Sequence, residues 1–142
     1  MFTGGRISHI CFDVENIEEA AKSYSHLLGA ECSEVVTVPL EDGAGVVKTV
    51  FFHLDGGSIE LVEHHFPPSW GNTPLKTGPG FHHVAMEVSA LDEALSGLGK
   101  QGIRPLPKFP IKTPHGRIAF LDPKQTGGIL WEVAEKNGAG SE

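Results

Sequence analysis

The sequence is poor in cysteine and in basic residues, and it has no long apolar run. Only two cysteines occur among 142 residues, without CxxC spacing, so we expect no disulfide framework and a cytoplasmic location. Lysine and arginine number 11 against 18 acidic residues, a net charge of −7, which disfavours nucleic acid and anionic membranes as partners. No apolar run approaches the roughly 20 residues of a membrane-spanning helix. The first residues lack the basic start and apolar stretch of a signal peptide.

What the sequence does contain is an internal repeat. The stretches 8–14 and 82–88 both read as strands, with a histidine near the start and an acid–valine pair at the end. Each is followed by apolar residues at helical spacing. Such a duplication decides the fold prediction before any other pattern is considered.

Each copy of the repeat continues in the same way. In the first copy, Asn16 is a predicted helix N-cap and Gly29 a predicted helix end. In the second copy, the predicted helix starts near Leu91 and ends at Gly102. Strand-like runs follow at 32–40, 45–54 and 58–63 in the first copy, and at 103–105, 117–121 and 128–134 in the second. A turn is predicted at 41–43.

This order predicts an α+β fold with two tandem β-α-β-β-β modules. The first module spans residues 6–64, a linker spans 65–80, the second module spans 81–135, and 136–142 form a flexible tail. We expect one structural domain, because two such small modules need a shared core. Their sheets would form a curved, partly open barrel with a metal-binding cleft.

Matched positions in the two copies carry the same potential metal ligands. His9 and His83 lie 74 positions apart, and Glu60 and Glu132 lie 72 positions apart. A lone strand histidine is usually an ordinary packed or surface residue, and a strand glutamate can sit at an edge or face a basic residue. An unpaired carboxylate within an apolar strand is costly, however. The recurrence of both residues predicts a site for one divalent ion of the zinc, nickel, cobalt or manganese type.

The other histidines have no partner at a matched position. We interpret them as surface or rim groups: His26, His53, His64, His65, His82 and His115.

The duplicated pattern with His9, Glu60, His83 and Glu132 resembles the vicinal oxygen chelate (glyoxalase/bleomycin resistance) superfamily across roughly residues 6–135. Within it, the stretches 80–88 and 117–132 are similar to methylmalonyl-CoA epimerases. Two positions depart from that family. Asp122 stands where the family usually has histidine before Pro-Lys, and Lys48 stands where some epimerases carry a glutamate base.

The resemblance implies a metal-dependent epimerase or isomerase that moves a proton α to a carbonyl. His9 and His83 would be metal ligands. Glu60 and Glu132 would be ligands of which one also serves as base. Lys48 would be a second proton-transfer group, if its pKa is lowered, or an anchor for the substrate. The predicted substrate is a 2-methylmalonyl thioester. We also expect the protein to form a homodimer.

Two alternatives stay open. A glyoxalase I-like lactoylglutathione lyase would use the same two histidines and two glutamates on an α-oxo adduct. A metal-free, drug-sequestering binding module would share the fold, but such relatives lack the ligand set. Ring-cleaving dioxygenases fit less well, because their two-histidine, one-carboxylate triad lies in a single module.

Overall fold

The repeat is present in the structure as two copies of a β-α-β-β-β arrangement. The computed structural model describes residues 5–39 and 45–136, and these divide into two compact units. The first unit lies within His9–His82. Of the described residues, the second unit comprises 83–136 together with 5–8. The α+β prediction is therefore confirmed.

The first unit contains one helix against a four-stranded sheet. Its elements are β1 (Arg6–Asp13), α1 (Ile17–Leu28), β2 (Val36–Pro39), β3 (Val46–Leu54) and β4 (Gly57–His65), and the first three residues of β1 are counted with the second unit. The sheet order is β2-β3-β4-β1, with β1 parallel to β4 and the other neighbours antiparallel. The buried core joins Ile17 and Ala21 of the helix to Val50, Phe52 and Leu61 of the sheet.

The second unit repeats this plan. Its elements are β5 (Gly80–Glu87), α2 (Leu91–Lys100), β6 (Ile111–Thr113), β7 (Gly116–Phe120) and β8 (Trp131–Lys136), and the first three residues of β5 are counted with the first unit. The sheet order is β5-β8-β7-β6, and β5 is parallel to β8. Leu91 and Ala94 of the helix pack with Val88, Leu121 and Val133.

Two predicted strands are shorter in the structure than expected, and one strand is present that the sequence does not predict. Strand β2 begins at Val36, and Cys32 makes only an isolated bridge to Phe52. The predicted strand at 103–105 is likewise one bridge, between Pro105 and Leu121. The fourth strand of the second unit is instead β6, a three-residue strand between two prolines. The predicted turn at 41–43 and residues 137–142 of the predicted tail lie outside the described residues.

The two helices begin with the same long-range hydrogen bond. Asn16 caps α1 as predicted, because its side chain accepts from the Glu19 N–H, and Gly29 ends the helix in the left-handed conformation (φ 62°). In addition, the Ile17 N–H donates to Glu63 Oε1 at 3.0 Å. The Leu91 N–H donates in the same way to Glu135 Oε1 at 2.8 Å. A glutamate of the last strand therefore satisfies the first N–H of each helix.

We expect Glu63→Ala to lower the free energy of unfolding by about 1–2 kcal/mol, measured by urea denaturation at pH 7. The bond from His65, and then that from the Ile17 N–H, holds the pKa of Glu63 below its ordinary value. A carboxyl whose pKa is lowered by folding adds stability at neutral pH that is lost as the pH falls. The difference from wild type should therefore shrink from pH 7 toward pH ~3.

The exposed Glu31 provides the control for this experiment. Glu31→Ala should leave stability unchanged at both pH values. A Glu63→Ala effect that persists undiminished at low pH would contradict the assignment of a charged cap.

Within residues 5–39 and 45–136, neither helix has the length and apolar character needed to cross a membrane.

Candidate metal centre

In the first unit, two predicted ligands lie side by side. His9 is on β1 and Glu60 is on the neighbouring parallel strand β4. His9 Nε2 lies 3.1 Å from Glu60 Oε1. Both residues are buried, with 7% and 9% of their surface exposed. The strand pairing brings them together because Glu60 pairs with Cys11, the next residue on the same face of β1 as His9.

The second unit contains the same pair. His83 on β5 and Glu132 on β8 place Nε2 and Oε1 3.0 Å apart. Both residues are buried, with 3% and 6% exposed. Glu132 pairs with Ala85, which follows His83 by two positions. The structure therefore brings together the predicted ligands within each unit, in the same register.

An aromatic ring contacts each histidine, a feature that the sequence pattern does not predict. The Phe51 ring meets the His9 ring edge to face, with centroids 5.3 Å apart at 83°. Phe120 contacts His83 in the same way, at 5.0 Å and 84°. Each phenylalanine is the cross-strand partner of that unit's glutamate. A phenylalanine directly opposite the glutamate on the neighbouring strand is therefore the sequence feature that identifies this contact.

A hydroxyl fixes one of the two glutamates. Thr49 Oγ1 donates to Glu60 Oε2 at 2.6 Å, and both residues are buried. This bond leaves Oε1 directed to His9. The position matched to Thr49 in the second unit is Ile118, which carries no hydroxyl. The two pairs therefore differ in how their carboxylates are held.

Each pair has the donor chemistry of a metal ligand pair. Imidazole nitrogen and carboxylate oxygen bind divalent transition ions at about 2.0–2.2 Å, which puts neighbouring ligand atoms roughly 3 Å apart. The two N–O distances of 3.1 and 3.0 Å agree with this spacing. The bond from Thr49 to Glu60 is the kind of outer contact that orients a ligating carboxylate. The residues present therefore fit a divalent ion.

Lys48 lies on the opposite face of β3 from Thr49, because neighbouring strand residues alternate. Its Nζ is 3.7 Å from Glu18 Oε2 on α1 and 3.9 Å from Glu63 Oε2. At the matched position, Arg117 donates to both carboxylate oxygens of Asp92 on α2, at 2.9 and 3.3 Å. Both cations thus join a helix to the sheet, and the structure does not bring Lys48 to the His9–Glu60 pair.

Two histidines interpreted as surface or rim groups are not at the surface. His82 has 2% of its surface exposed, and the His64 side chain has 11%. The interpretation is wrong for these two, because each has polar partners inside the first unit: Leu75 for His82 and Asp13 for His64. The remaining four are exposed as expected: His26, His53, His65 and His115.

Comparison with known proteins gives consistent matches. The model of the glyoxalase/bleomycin resistance protein/dioxygenase superfamily matches residues 8–120. The mitochondrial methylmalonyl-CoA epimerase of Homo sapiens is 34% identical over 134 residues, covering 92% of this chain and 74% of that protein. An ethylmalonyl-CoA/methylmalonyl-CoA epimerase of Cereibacter sphaeroides is 31% identical, with coverages of 92% and 98%. The crystal structure of methylmalonyl-CoA epimerase from Mycobacterium tuberculosis superposes with a TM-score of 0.76 at 25% identity, covering 96% of this chain and 93% of that one.

Proposed function

The chain belongs to the glyoxalase/bleomycin resistance protein/dioxygenase superfamily, and we propose that it is a metal-dependent epimerase. Its reaction would move a proton at the carbon α to the carbonyl of an acyl thioester. A 2-methylmalonyl thioester is the proposed substrate, as in the names of the human and Cereibacter relatives.

One observation carries the proposal. The buried histidine–glutamate pair occurs twice, His9 with Glu60 and His83 with Glu132. It occurs in a chain about one third identical to epimerases of such thioesters along nine-tenths of its length. A buried carboxylate destabilises the fold unless it is compensated. Packing alone therefore does not explain why both copies of the repeat contain one.

We propose that the two pairs together bind one divalent ion of the zinc, nickel, cobalt or manganese type. Four ligands of this kind, two imidazoles and two carboxylates, leave coordination positions for a substrate oxygen. A bound ion would act as a Lewis acid, drawing charge from the carbonyl and making the neighbouring C–H more acidic.

Within this site, Glu132 is the proposed base. A carboxylate that takes up a proton has to change its contacts during the reaction. The 2.6 Å hydrogen bond from Thr49 opposes such a change at Glu60, so we assign the role of base to Glu132 and that of a fixed ligand to Glu60. His9 and His83, each fixed by a phenylalanine edge, would remain ligands.

The neighbours Lys48 and Thr49 provide a matched pair of substitutions. We expect Thr49→Val to lower kcat/KM by about 10–100-fold, because Glu60 loses the bond that orients it. Lys48→Met should keep kcat/KM within about threefold and reduce the free energy of unfolding by less than about 1 kcal/mol, since its ion pairs are partly exposed. Turnover and urea denaturation measure the two effects.

A role of Lys48 in proton transfer stays a prediction that the same experiment decides. Loss of turnover in Lys48→Met without loss of stability would favour a role in proton transfer or in anchoring the substrate, and would contradict the ion-pair role proposed here.

Incorporation of solvent deuterium tests the reaction itself. In D2O, the enzyme should incorporate deuterium at the α-carbon of methylmalonyl-CoA faster than an enzyme-free control. It should not consume the adduct of methylglyoxal and glutathione. The reverse result would favour the glyoxalase I-like lyase, and no reaction with either substrate, together with absence of bound metal, would favour the binding module. The expected homodimer stays a prediction.

A further inference from the structure

A second group of side chains of the types that bind metals lies inside the first unit, and it shares no residue with the His9–Glu60 pair. It consists of Asp13 on β1, His64 on β4 and His82. Asp13 Oδ2 lies 3.0 Å from His64 Nδ1. The rings of His64 and His82 have centroids 4.6 Å apart, tilted by 31°. One possible ligand atom of each residue lies within 4.8 Å of those of the other two.

The hydrogen bond of His82 fixes which ring nitrogen can bind an ion. His82 Nε2 lies 2.7 Å from the carbonyl oxygen of Leu75. A carbonyl oxygen only accepts, so Nε2 carries the hydrogen, and in the neutral ring the lone pair is on Nδ1. Histidine ligands of metals commonly donate their other N–H to a backbone carbonyl in this way, which fixes the ring orientation.

Burial makes a cation favourable at this place. The side chains of Asp13 and His64 are 13% and 11% exposed, and His82 is 2% exposed. A carboxylate that is largely shielded from water is stabilised by a nearby positive charge. One carboxylate and two imidazoles form a ligand set that suits zinc and similar ions.

This group uses none of the ligands of the His9–Glu60 pair. Asp13 follows His9 by four positions on β1, and His64 follows Glu60 by four positions on β4. At about 3.3 Å per residue, four positions correspond to roughly 13 Å along the strands. An ion at one place would therefore not share ligands with an ion at the other.

We propose that Asp13, His64 and His82 bind a second divalent transition ion, of the zinc type, with a structural role. The ion would tie β1 and β4 to His82, and through its Leu75 bond to the segment between β4 and β5. The Phe66 ring, which stacks on His64 at 4.7 Å and 13°, shields one side of the group. This inference does not depend on the proposed epimerase reaction.

Metal content tests the proposal. The purified protein is saturated with zinc chloride, dialysed against metal-free buffer and analysed for zinc. We expect about two ions per chain in the wild type and about one in Asp13→Asn and in His64→Gln. The exposed His26 supplies the control, and His26→Gln should keep both ions. Zinc at a 100-fold excess over its Kd should raise the Tm of metal-free His9→Ala by about 5–10 °C, but not that of the double variant His9→Ala/Asp13→Asn.

The result separates this inference from the proposed function. One ion in the wild type that persists in Asp13→Asn and disappears in His9→Ala would overturn the second site and leave the epimerase proposal standing. One ion that disappears in Asp13→Asn and persists in His9→Ala would establish the second site and overturn the four-ligand site. Where a variant fails to fold, as judged by circular dichroism, a wild-type protein that retains no zinc after this treatment still overturns the proposal.

Discussion

Glu132→Gln is expected to lower kcat/KM for α-proton exchange of methylmalonyl-CoA by about 10³-fold. The amide keeps the shape of the side chain but cannot accept the proton, and it is a weaker metal ligand than the carboxylate. Deuterium incorporation, followed by mass spectrometry, measures the loss. Unfolding by urea should show that the free energy of unfolding changes much less than the activity.

Glu135 provides the control on the same strand. It lies three positions beyond Glu132, and its side chain accepts the Leu91 N–H at the start of α2. Glu135→Gln should lower stability by about 1 kcal/mol while kcat/KM stays within about threefold. If Glu132→Gln exchanged the proton at the wild-type rate, Glu132 would not be the base.

The second large effect is loss of the ion on removal of either histidine. In the Asp13→Asn background, which removes the further site inferred above, we expect about one ion per chain. His9→Ala and His83→Ala should each remove this ion entirely and abolish proton exchange, although the two residues belong to different units. The physical reason is that an ion shared as proposed would depend on ligands from both pairs. Elemental analysis of the two variants gives the answer.

Two independent sites would give a different result. If each histidine–glutamate pair bound its own ion, the Asp13→Asn protein would hold about two ions, and each histidine variant would lose only one of them. Retention of proton exchange in either variant would likewise contradict the shared site.

The sequence was most informative where the determinants are local or repeated. Helix α1 was predicted from Asn16 to Gly29 because capping preferences act within a few residues. A single histidine or glutamate on a strand is weak evidence for a metal ligand. The same two residues at matched positions in both copies of the repeat are much stronger evidence, and they predict His9, Glu60, His83 and Glu132 as ligands. Their side-by-side position then follows from the parallel pairing of the first and last strands of each unit.

The contacts that were missed join residues far apart in the chain. Glu63 reaches the start of α1 across 46 positions, and Glu135 reaches α2 across 44. No local pattern encodes such a bond. The short strand β6 was missed because three residues between prolines carry almost no alternation signal.

The error at His82 has a different cause. The alternation of side chains along a strand correctly places His82 and His83 on opposite faces, but it predicts only the face on which a residue lies. It does not state whether that side is covered. In the first unit, Leu75 and His64 contact His82, and a residue assigned to the surface is nearly inaccessible.

The spacing of the glutamates on the last strands constrains how this protein can change. On β4, Glu60 faces the proposed ligand His9, and Glu63, three positions later, faces helix α1. On β8, Glu132 faces the proposed ligand His83, and Glu135, three positions later, faces helix α2. Insertion of one residue between them would reverse the side on which one glutamate lies. Such an insertion would remove a metal ligand or a helix cap, whatever residue it introduced. Length variation among related chains is therefore expected in the connecting segments and not in β4 or β8 between these glutamates.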